Sequence, residues 1–442
     1  MSCRAKQDRQ TGIELDVVTS MTSTTSPLPI LPAMDRSPSL RKDFAWILVG
    51  NSVYAASQWG IVMALAKLSS VTAMGQLALG MAVTAPIFLF TNLNLRLVLA
   101  TDGGHQYAFR AYLRLRLLTT ASALVLASAI ALGGGYRPET ATFIGLVGAL
   151  KAIESISDLY YGLQQLQQRM QRVAVSMILR GVCSLALFTG VLMMGGTPEM
   201  AVAAIGAVWL AVLLGYDTTR SGPEPSPARP DTPHRTVARM VKLSLPLGLA
   251  AMLLSFNTNI PRYFLERRWG ERDLGIYSAL AFFVVAGSVL MNALCQSAMT
   301  RLANFYREGR REEFWRLLKR LAGLAAGIGG FGVALSAMAG HDLLILLYRS
   351  EYAEHASVLV LLMVGGTVQY FGSCFGVAIT AMRLFRVQMW IHAVTTVVTL
   401  ACAWPLVRTW GLAGAACAGI IGSACATLPY AVLTYRKLKA WQ

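Results

Sequence analysis

The sequence predicts an all-α polytopic membrane protein, with about twelve transmembrane helices in two pseudo-symmetric six-helix lobes around a central cavity. Hydrophobic residues make up 55% of the 442 residues and charged residues only 14%, whereas soluble domains average about 25% charged residues. The apolar residues occur in runs of roughly 20, the length that a helix needs to cross a bilayer core. Cationic side chains occupy the short segments between these runs, as in cytoplasmic loops of membrane proteins.

The first 43 residues form a polar segment rich in Ser, Thr and Pro, without an apolar core of signal-peptide length. We expect a disordered cytoplasmic tail rather than a cleaved signal. Met34 directly precedes the basic residues Arg36, Arg41 and Lys42, which makes it a candidate for the natural start. N-terminal sequencing of the natural protein tests this, and a mature N-terminus at Ser2 would exclude it.

Hydrophobicity then divides the chain into twelve predicted spans. Their boundaries are 44–68, 74–99, 113–133, 140–162, 173–195, 198–216, 243–265, 275–300, 321–347, 355–382, 387–406 and 411–433. If the N-terminus lies in the cytoplasm, the segments inside carry 28 Lys and Arg residues and those outside carry 7. This asymmetry predicts a multi-pass protein of the bacterial inner membrane with both termini inside.

The longest internal loop, 217–242, contains five prolines and cannot be helical throughout. It separates an N-terminal lobe (44–216) from a C-terminal lobe (243–442) that ends in a short cytoplasmic tail. The two halves match weakly: a span beginning near Gly75 or Gly275 carries an Asn seventeen residues later, at Asn92 and Asn292, and a basic stretch follows each. Pseudo-symmetric helical bundles are a common plan among transporters.

Motifs for enzymatic chemistry, a metal or a cofactor are missing. The chain has no P-loop, no HExxH and no GxSxG sequence. A GxGxxG string at 327–332 lies inside a span with no strand before it, so we expect close helix packing through Gly323 and Gly327 instead, and likewise at 411–422. Six of seven cysteines fall inside apolar runs without metal-ligand spacing and are expected to be small buried residues. Basic charge confined to loops argues against nucleic-acid binding.

Polar and charged residues inside the spans are the candidates for a function, because a charge at the bilayer centre costs about 2.5–3.5 kcal/mol. Lys151, Glu154 and Asp158 share one helix face, as do Asn51 and Gln58. The remaining candidates are Asn92, Arg96, Arg180, Asn259 and Arg262, with Ser255 on the face of the last two. Together they predict a polar, net-cationic cavity suited to an anionic head group.

Each of these residues also has a purely structural interpretation. Lys151 and Glu154 can neutralise each other as an i, i+3 pair. Arg96 and Arg180 stand near the predicted cytoplasmic ends of their spans and can extend their side chains to the surface. Arg262 has Glu266 one turn away and can form an ion pair with it.

Several stretches resemble the bacterial polysaccharide flippases that handle O-antigen and exopolysaccharide repeat units, within the multidrug/oligosaccharidyl-lipid/polysaccharide exporter superfamily. The similarity extends from about Arg41 over nearly the whole chain. NIPRYFLE (Asn259–Glu266) and LGIYSALAFF (Leu274–Phe283) are its most specific parts. Other similar stretches are NLNLRLVLATD (Asn92–Asp102), SLPLGL (Ser244–Leu249), LYRSEYAEHA (Leu347–Ala356) and GLAGAACAG (Gly411–Gly419).

The resemblance implies a flippase for undecaprenyl-diphosphate-linked oligosaccharide repeat units, working by alternating access for surface polysaccharide (lipopolysaccharide or exopolysaccharide) biosynthesis. It carries over Arg96 and Arg262 as candidate diphosphate contacts, whereas Lys151 and Arg180 come from the residue pattern alone. The implied partners are the lipid-linked oligosaccharide, the bilayer, and a polysaccharide polymerase or export complex. About twelve spans, rather than fourteen, make the peptidoglycan precursor a poorer substrate. A drug/cation antiporter of the same superfamily and a membrane glycan polymerase remain as alternatives, and no enzymatic activity is expected.

Overall fold

The structure is a computed structural model that describes residues 40–100, 107–220 and 233–439. Met34 and the predicted tail up to residue 39 lie outside these residues, whereas residues 40–43 already belong to the first helix. No strand occurs in the described ranges, so the predicted all-α fold class is confirmed. The helices of the first half are α1 (Leu40–Leu68), α2 (Val71–Thr91), α3 (Phe109–Gly133), α4 (Pro138–Leu166), α5 (Met170–Met193) and α6 (Pro198–Val212), which a π-helical turn continues over Leu213–Asp217.

The second half repeats this layout of long helices joined by short turns. Its final helical segment, Phe385–Lys439, is broken at Gly411, which has φ 54° and ψ −123°, and we name its parts α11 (385–410) and α12 (412–439). The preceding helices are α7 (Pro233–Trp269), α8 (Glu271–Arg307), α9 (Arg311–Leu347) and α10 (Ala356–Ala381). Two short helices, Leu95–Ala100 and Ser350–Ala353, complete the described secondary structure.

Eleven of the twelve predicted spans coincide with these helices to within a few residues or lie inside them. The second span is present as the segment Val71–Ala100 but is interrupted, and the helix after the linker begins earlier than predicted. The second span is not continuous to residue 99, because Leu93 (φ 50°) and Asn94 (φ 52°) take the left-handed conformation and end α2. The linker is shorter than predicted, because α7 already begins at Pro233. Proline is well placed there, since the first turn of a helix needs no backbone donor.

Nine helical segments of the described chain are long and apolar enough to cross a membrane, with α11 and α12 counted as one. α1 and α7, the first helices of the two halves, both carry polar residues along their length. These include Asn51 and Gln58 on α1 and Asn259 and Arg262 on α7.

The two lobes meet through α2 and α8 in a reciprocal contact. A Cβ atom on Gly75 would lie 1.8 Å from the Glu271 carbonyl oxygen, and one on Gly275 would lie 2.1 Å from the Val71 carbonyl oxygen. Gly75 thus faces Glu271, four residues before Gly275, and Gly275 faces Val71, four residues before Gly75. A two-fold axis produces such a reciprocal contact. Gly75 and Gly275, which the sequence matched with each other, therefore lie at the same contact. Asn92 and Asn292 are not structurally equivalent, because α2 ends at Thr91 whereas α8 continues unbroken through Asn292 to Arg307.

Polar contacts between the lobes cluster at this same end of the bundle, which we call the closed end. The Gln76 side-chain amide donates to Glu271 over 3.0 Å, and the Thr140 hydroxyl donates to the other Glu271 oxygen. The Arg349 guanidinium donates to the Lys67 carbonyl oxygen at 2.9 and 2.6 Å. These contacts hold the lobes together where α1 ends and α2 begins.

The hydrophobic core divides away from the closed end. One buried cluster joins both lobes there and includes Leu65, Met74 and Leu280. Towards the opposite end, one cluster forms within the C-terminal lobe around Phe314. Another forms around Tyr112 of the N-terminal lobe and includes Met240 of α7, so the lobes also touch there, through α7 alone.

Two predictions about small residues are corrected. A Cβ atom on Gly323 or Gly327 would contact nothing within 4 Å, so these glycines are not at a helix contact. The packing predicted for 411–422 is present, because Gly414 touches the Leu406 backbone and Gly422 touches Thr399. Cys183 is exposed rather than buried, whereas Cys295 and Cys374 are buried as expected.

Candidate functional site

A polar cavity of about 340 Å³ lies between the lobes in the half of the bundle away from the closed end. We call it the central cavity. Four elements of the N-terminal lobe and one residue of α8 form its wall. The lining residues are Ile47, Asn51, Tyr54, Arg96, Glu154, Asp158, Tyr161, Gln165, Met170, Val173, Ala174, Met177, Arg180 and Gln296.

The break after α2 places Arg96 in this wall. Because Leu93 and Asn94 redirect the chain, Arg96 projects from the short helix 95–100 towards α4. Its Nη1 donates to Asp158 Oδ1 at 3.0 Å, and its guanidinium carbon lies 5.7 Å from the centre of the Tyr161 ring. Both side chains of the pair remain about one-third exposed, at 38% for Arg96 and 32% for Asp158. Arg96 is thus paired across the cavity wall instead of extending freely to the surface.

Arg116 is a functional candidate that the sequence pattern did not single out, since it stands near the start of the predicted span 113–133. It is fully buried in α3, donates to the Asn92 side-chain oxygen and lies 3.9 Å from Asp158. Asp158 therefore faces two guanidinium groups, one exposed to the cavity and one inside the lobe. The available signal was the helical spacing of Phe109, Tyr112 and Arg116, which places all three on one face.

A second ion pair is buried and joins the cavity wall, where Arg180 lies, to Asp217 behind it. Arg180 of α5 donates to Asp217 at 3.1 Å and also to the Ser157 hydroxyl. Only 3% of the Arg180 side chain and none of the Asp217 side chain is exposed, so Arg180 does not extend to the surface. The sequence analysis placed Asp217 at the start of the linker. The π-helical turn 213–217 carries it inward instead, and an apolar segment followed by one acidic residue gives no signal of this.

Aromatic rings contact the guanidinium groups of Arg96 and Arg180. The Arg180 guanidinium carbon lies 5.8 Å from the Tyr161 ring centre and 5.7 Å from the Trp209 ring centre. Tyr161 therefore stands between Arg96 and Arg180, and its hydroxyl is 2.8 Å from the Ser176 hydroxyl. Cation–π contacts of this kind stabilise a positive charge without neutralising it.

Lys151 and Glu154 form the ion pair that their spacing allowed. Lys151 Nζ donates to Glu154 Oε2 at 2.7 Å, and only Glu154 lines the cavity. The wall and the layer behind it hold the cations Lys151, Arg96, Arg116 and Arg180 against the carboxylates Glu154, Asp158 and Asp217. Of these, Arg96, Arg180, Glu154 and Asp158 line the cavity, so the charges of the lining itself balance. The excess of one positive charge arises only when the layer behind the wall is included.

Arg262 lies elsewhere, on α7, and does not line the central cavity. Its Nη1 donates to Asn259 Oδ1 at 3.0 Å, and Asn259 donates to the Ser255 carbonyl oxygen at 2.9 Å, so the predicted common face of these residues is present. In the described ranges, no carboxylate forms an ion pair with Arg262; the alternative pairing with Glu266 is wrong. Its Nε is buried without a hydrogen-bond acceptor.

The remaining predicted residues separate into those inside and those outside the cavity. Asn51 lines it, together with Tyr54 and Gln165, which the sequence analysis did not select. Gln58 lies outside, and its buried Nε2 has no acceptor among the described residues. Neutral amides and phenols can hydrogen-bond sugar hydroxyls, and the guanidinium groups beside them can bind an anion.

Solved structures of several transporters have a similar fold. A multidrug resistance transporter of the MATE family in its inward-facing conformation superposes with a TM-score of 0.66, over 90% of this chain and 95% of that chain, at 15% identity. A transporter of the MOP superfamily from Pyrococcus furiosus, noted for the reversed polarity of its binding pocket, gives 0.63 over 90% and 94% at 16% identity. Identities this low show the fold alone.

Sequence similarity identifies the family of the chain, which the fold alone does not. The chain is 26% identical over 399 residues to the capsular polysaccharide biosynthesis protein CapF of Staphylococcus aureus, covering 88% of this chain and 98% of that protein. The polysaccharide biosynthesis protein family model matches residues 40–300, more than half of the chain. With the fold and the cavity described above, this match shows that the chain belongs to the polysaccharide biosynthesis protein family.

Proposed function

We propose that the protein is a flippase that moves undecaprenyl-diphosphate-linked oligosaccharide repeat units from the cytoplasmic to the periplasmic leaflet of the inner membrane. The observation that carries this proposal is the central cavity, where Arg96 and Arg180 flank Tyr161 beside the hydrogen-bonding side chains of Asn51 and Gln165. A diphosphate that leaves water needs positive charge, and a glycan needs neutral hydrogen-bonding groups.

The direction of transport follows from the distribution of charge. The segments at the end opposite the closed end carry most of the Lys and Arg residues, and the positive-inside rule assigns that end to the cytoplasm. On this assignment the described conformation is inward-open, with the closed end towards the periplasm. An inward-facing transporter superposes with a TM-score of 0.66 and an outward-facing one with 0.62, so the assignment depends on the charge distribution and on the closed end.

The ion pairs give a mechanism for loading. Asp158 holds Arg96 over Tyr161 before the substrate arrives, so the diphosphate meets a positioned guanidinium and binds in its fixed fork geometry. The lipid tail stays in the bilayer while the lobes rock about the α2–α8 contact. Arg262, which has an unsatisfied Nε and no carboxylate partner among the described residues, takes over the diphosphate as the outer half opens.

The two alternative functions are less well supported. A cation antiporter needs free carboxylates, whereas Glu154, Asp158 and Asp217 each already hold a cation. A glycan polymerase normally needs an aqueous loop for its chemistry, and the described turns between helices are short. Both alternatives remain outcomes of the experiment below.

The test measures which leaflet holds the lipid-linked oligosaccharide in cells that lack the gene and express a variant. Arg96→Gln should lower the amount in the periplasmic leaflet about tenfold or more, because a hydrogen bond to a charged group contributes about 1.5–3 kcal/mol. Arg262→Gln should have a similar effect. Arg267→Gln removes an exposed cation five residues along α7 from Arg262 and should transport normally.

Immunoblots of the membrane fraction check that every variant is inserted in equal amount. Normal transport by both Arg96→Gln and Arg262→Gln would exclude the proposed diphosphate contacts. If the oligosaccharide reaches the periplasmic leaflet without this protein and is only left unpolymerised, the flippase proposal is wrong and the polymerase alternative replaces it.

A further inference from the structure

The C-terminal lobe carries an unusually basic surface at the end opposite the closed end. We call it the basic face and define it as residues 301–320, Arg383 and residues 435–439. It holds eleven Lys and Arg residues and three Glu residues. None of the eleven cations is buried, unlike Arg116 of the N-terminal lobe. The surface therefore attracts anions strongly, and this attraction is not used by the central cavity.

A cavity of about 610 Å³ opens in the basic face between the first turns of α9 and the last turn of α12. We call it the interfacial cavity. Trp315 and Tyr435 form its aromatic wall, with ring centres 6.3 Å apart in an edge-on arrangement. Tryptophan and tyrosine prefer the head-group level of a bilayer, because their rings combine an apolar body with a polar atom. The full lining is Arg311, Glu312, Trp315, Arg316, Lys319 and Tyr435.

The cations of this cavity are available for an external ligand. Arg310, just outside the cavity, forms ion pairs with two of the three glutamates of the basic face, at 3.3 Å to Glu308 and 3.1 Å to Glu313. Across the described part of the chain, no ion pair involves Arg311, Arg316 or Lys319. Glu312 offsets one of these three charges, so the cavity keeps a net positive charge.

Above the cavity, the surface of both helices changes from cationic to apolar. On α9, Gly323 and Gly327 follow Lys319 at four-residue intervals on the same face, and Cβ atoms there would contact nothing within 4 Å. On α12, Leu428 and Val432 precede Tyr435 and are 65% and 48% exposed. Along these two helices the surface is first cationic, then aromatic and then apolar. This sequence matches the head group, the interfacial region and the acyl chains of a membrane lipid.

We propose that the interfacial cavity is a binding site for an anionic phospholipid, with Arg316 and Lys319 on its phosphate, Trp315 and Tyr435 at its glycerol level, and its acyl chains along Gly323 and Gly327. Basic pockets between transmembrane helices on the cytoplasmic side bind such head groups. The site lies outside the central cavity and shares no residue with it. It therefore does not depend on the proposed transport activity.

The experiment is native mass spectrometry of the purified full-length protein, titrated with phosphatidylglycerol or with phosphatidylcholine of the same acyl chains. The wild type should retain phosphatidylglycerol selectively. Arg316→Gln/Lys319→Gln should bind it about 20-fold more weakly, because each cation near an anionic lipid surface contributes about a factor of five. Arg436→Gln/Lys437→Gln removes the same charge from the basic face outside the cavity and should bind within about twofold of wild type.

A second variant separates the cavity from the general charge of the basic face. Trp315→Leu keeps every charge but removes the aromatic wall, and it should also weaken the binding of phosphatidylglycerol by several-fold. Equal weakening in both charge variants would show attraction to the whole basic face and would overturn the site. Equal retention of both lipids by the wild type would overturn the proposed ligand.

Discussion

At the residue scale, the central cavity depends on charges that are already paired. Asp158 interacts with Arg96 on the cavity side and with Arg116 inside the lobe, at 3.0 and 3.9 Å. Arg180 and Asp217 form a further pair with almost no exposure. Buried pairs of this kind add little net stability, but removing one partner leaves a charge without compensation. Their benefit here is that Arg96 and Arg180 are held beside Tyr161 without substrate.

The first prediction concerns Asp217. Asp217→Asn leaves the buried Arg180 guanidinium without a carboxylate and should destabilise the protein by about 3–5 kcal/mol. The double variant Arg180→Met/Asp217→Leu removes both charges and should recover most of this loss. Thermal unfolding of the purified proteins in one detergent measures both. An unchanged midpoint for Asp217→Asn, or a double variant less stable than the single one, would contradict the described pair.

At the element scale, two breaks in helices decide where side chains point. The left-handed residues after α2 turn Arg96 into the central cavity. The break at Gly411 lets α11 and α12 fold back on each other, with Gly414 against the Leu406 backbone. Trp269 closes this turn by donating from Nε1 to the Val407 carbonyl oxygen at 2.9 Å.

The second prediction concerns that turn. Gly411 combines φ 54° with ψ −123°, a conformation that residues with a Cβ atom rarely adopt. Gly411→Ala should destabilise the protein by about 1–3 kcal/mol. Gly330→Ala is the matched control, because Gly330 lies in helical backbone where a Cβ would contact nothing within 4 Å, and it should stabilise α9 by up to about 1 kcal/mol. Thermal unfolding distinguishes them, and equal effects would contradict the assigned backbone.

At the scale of the whole molecule, the closed end holds the largest core that both lobes share, whereas α7 alone joins the lobes in the Tyr112 cluster at the other end. The reciprocal contact of Gly75 and Gly275 leaves no room for a side chain. Gln76, Thr140 and Glu271 add a polar contact beside it. Because these contacts close this end of the bundle, they have to open for the cavity to reach the opposite side.

The third prediction concerns this opening. Gly75→Val places a side chain against the Glu271 backbone, which cannot move aside as a side chain can, so the closed end should open. Thr140→Cys reports this, because Thr140 is fully buried there. A membrane-impermeant maleimide should label it about tenfold faster in the Gly75→Val background. Gly145→Val, at a glycine of α4 with nothing within 4 Å, should leave labelling unchanged.

Equal labelling rates in the two glycine variants would contradict the closed end as the contact between the lobes. Faster labelling in Gly145→Val alone would contradict the described packing of α4. The background protein without Thr140→Cys is labelled in parallel, since the native cysteines, including the exposed Cys183, also react.

The sequence predicted the fold class and most of the helices, because crossing a bilayer leaves a long apolar run that needs no tertiary information to recognise. It also selected Arg96, Asp158, Glu154 and Asn51, which do line the central cavity. It missed Arg116 and Asp217, because each stands at the edge of an apolar run, where a charge is normally solvated. Only packing shows that both are buried.

The number of helices, their apolar faces and the excess of positive charge in one set of loops are thus properties of the sequence by itself, since each depends on local hydrophobicity and on counting. The tertiary structure decided which charges meet. The left-handed residues at 93–94 and the π-helical turn at 213–217 changed the direction of two side chains, and packing of distant helices then left the cavity lining with no net charge. Pairing depends on distances of a few ångströms between segments far apart in the chain, which local sequence patterns do not contain.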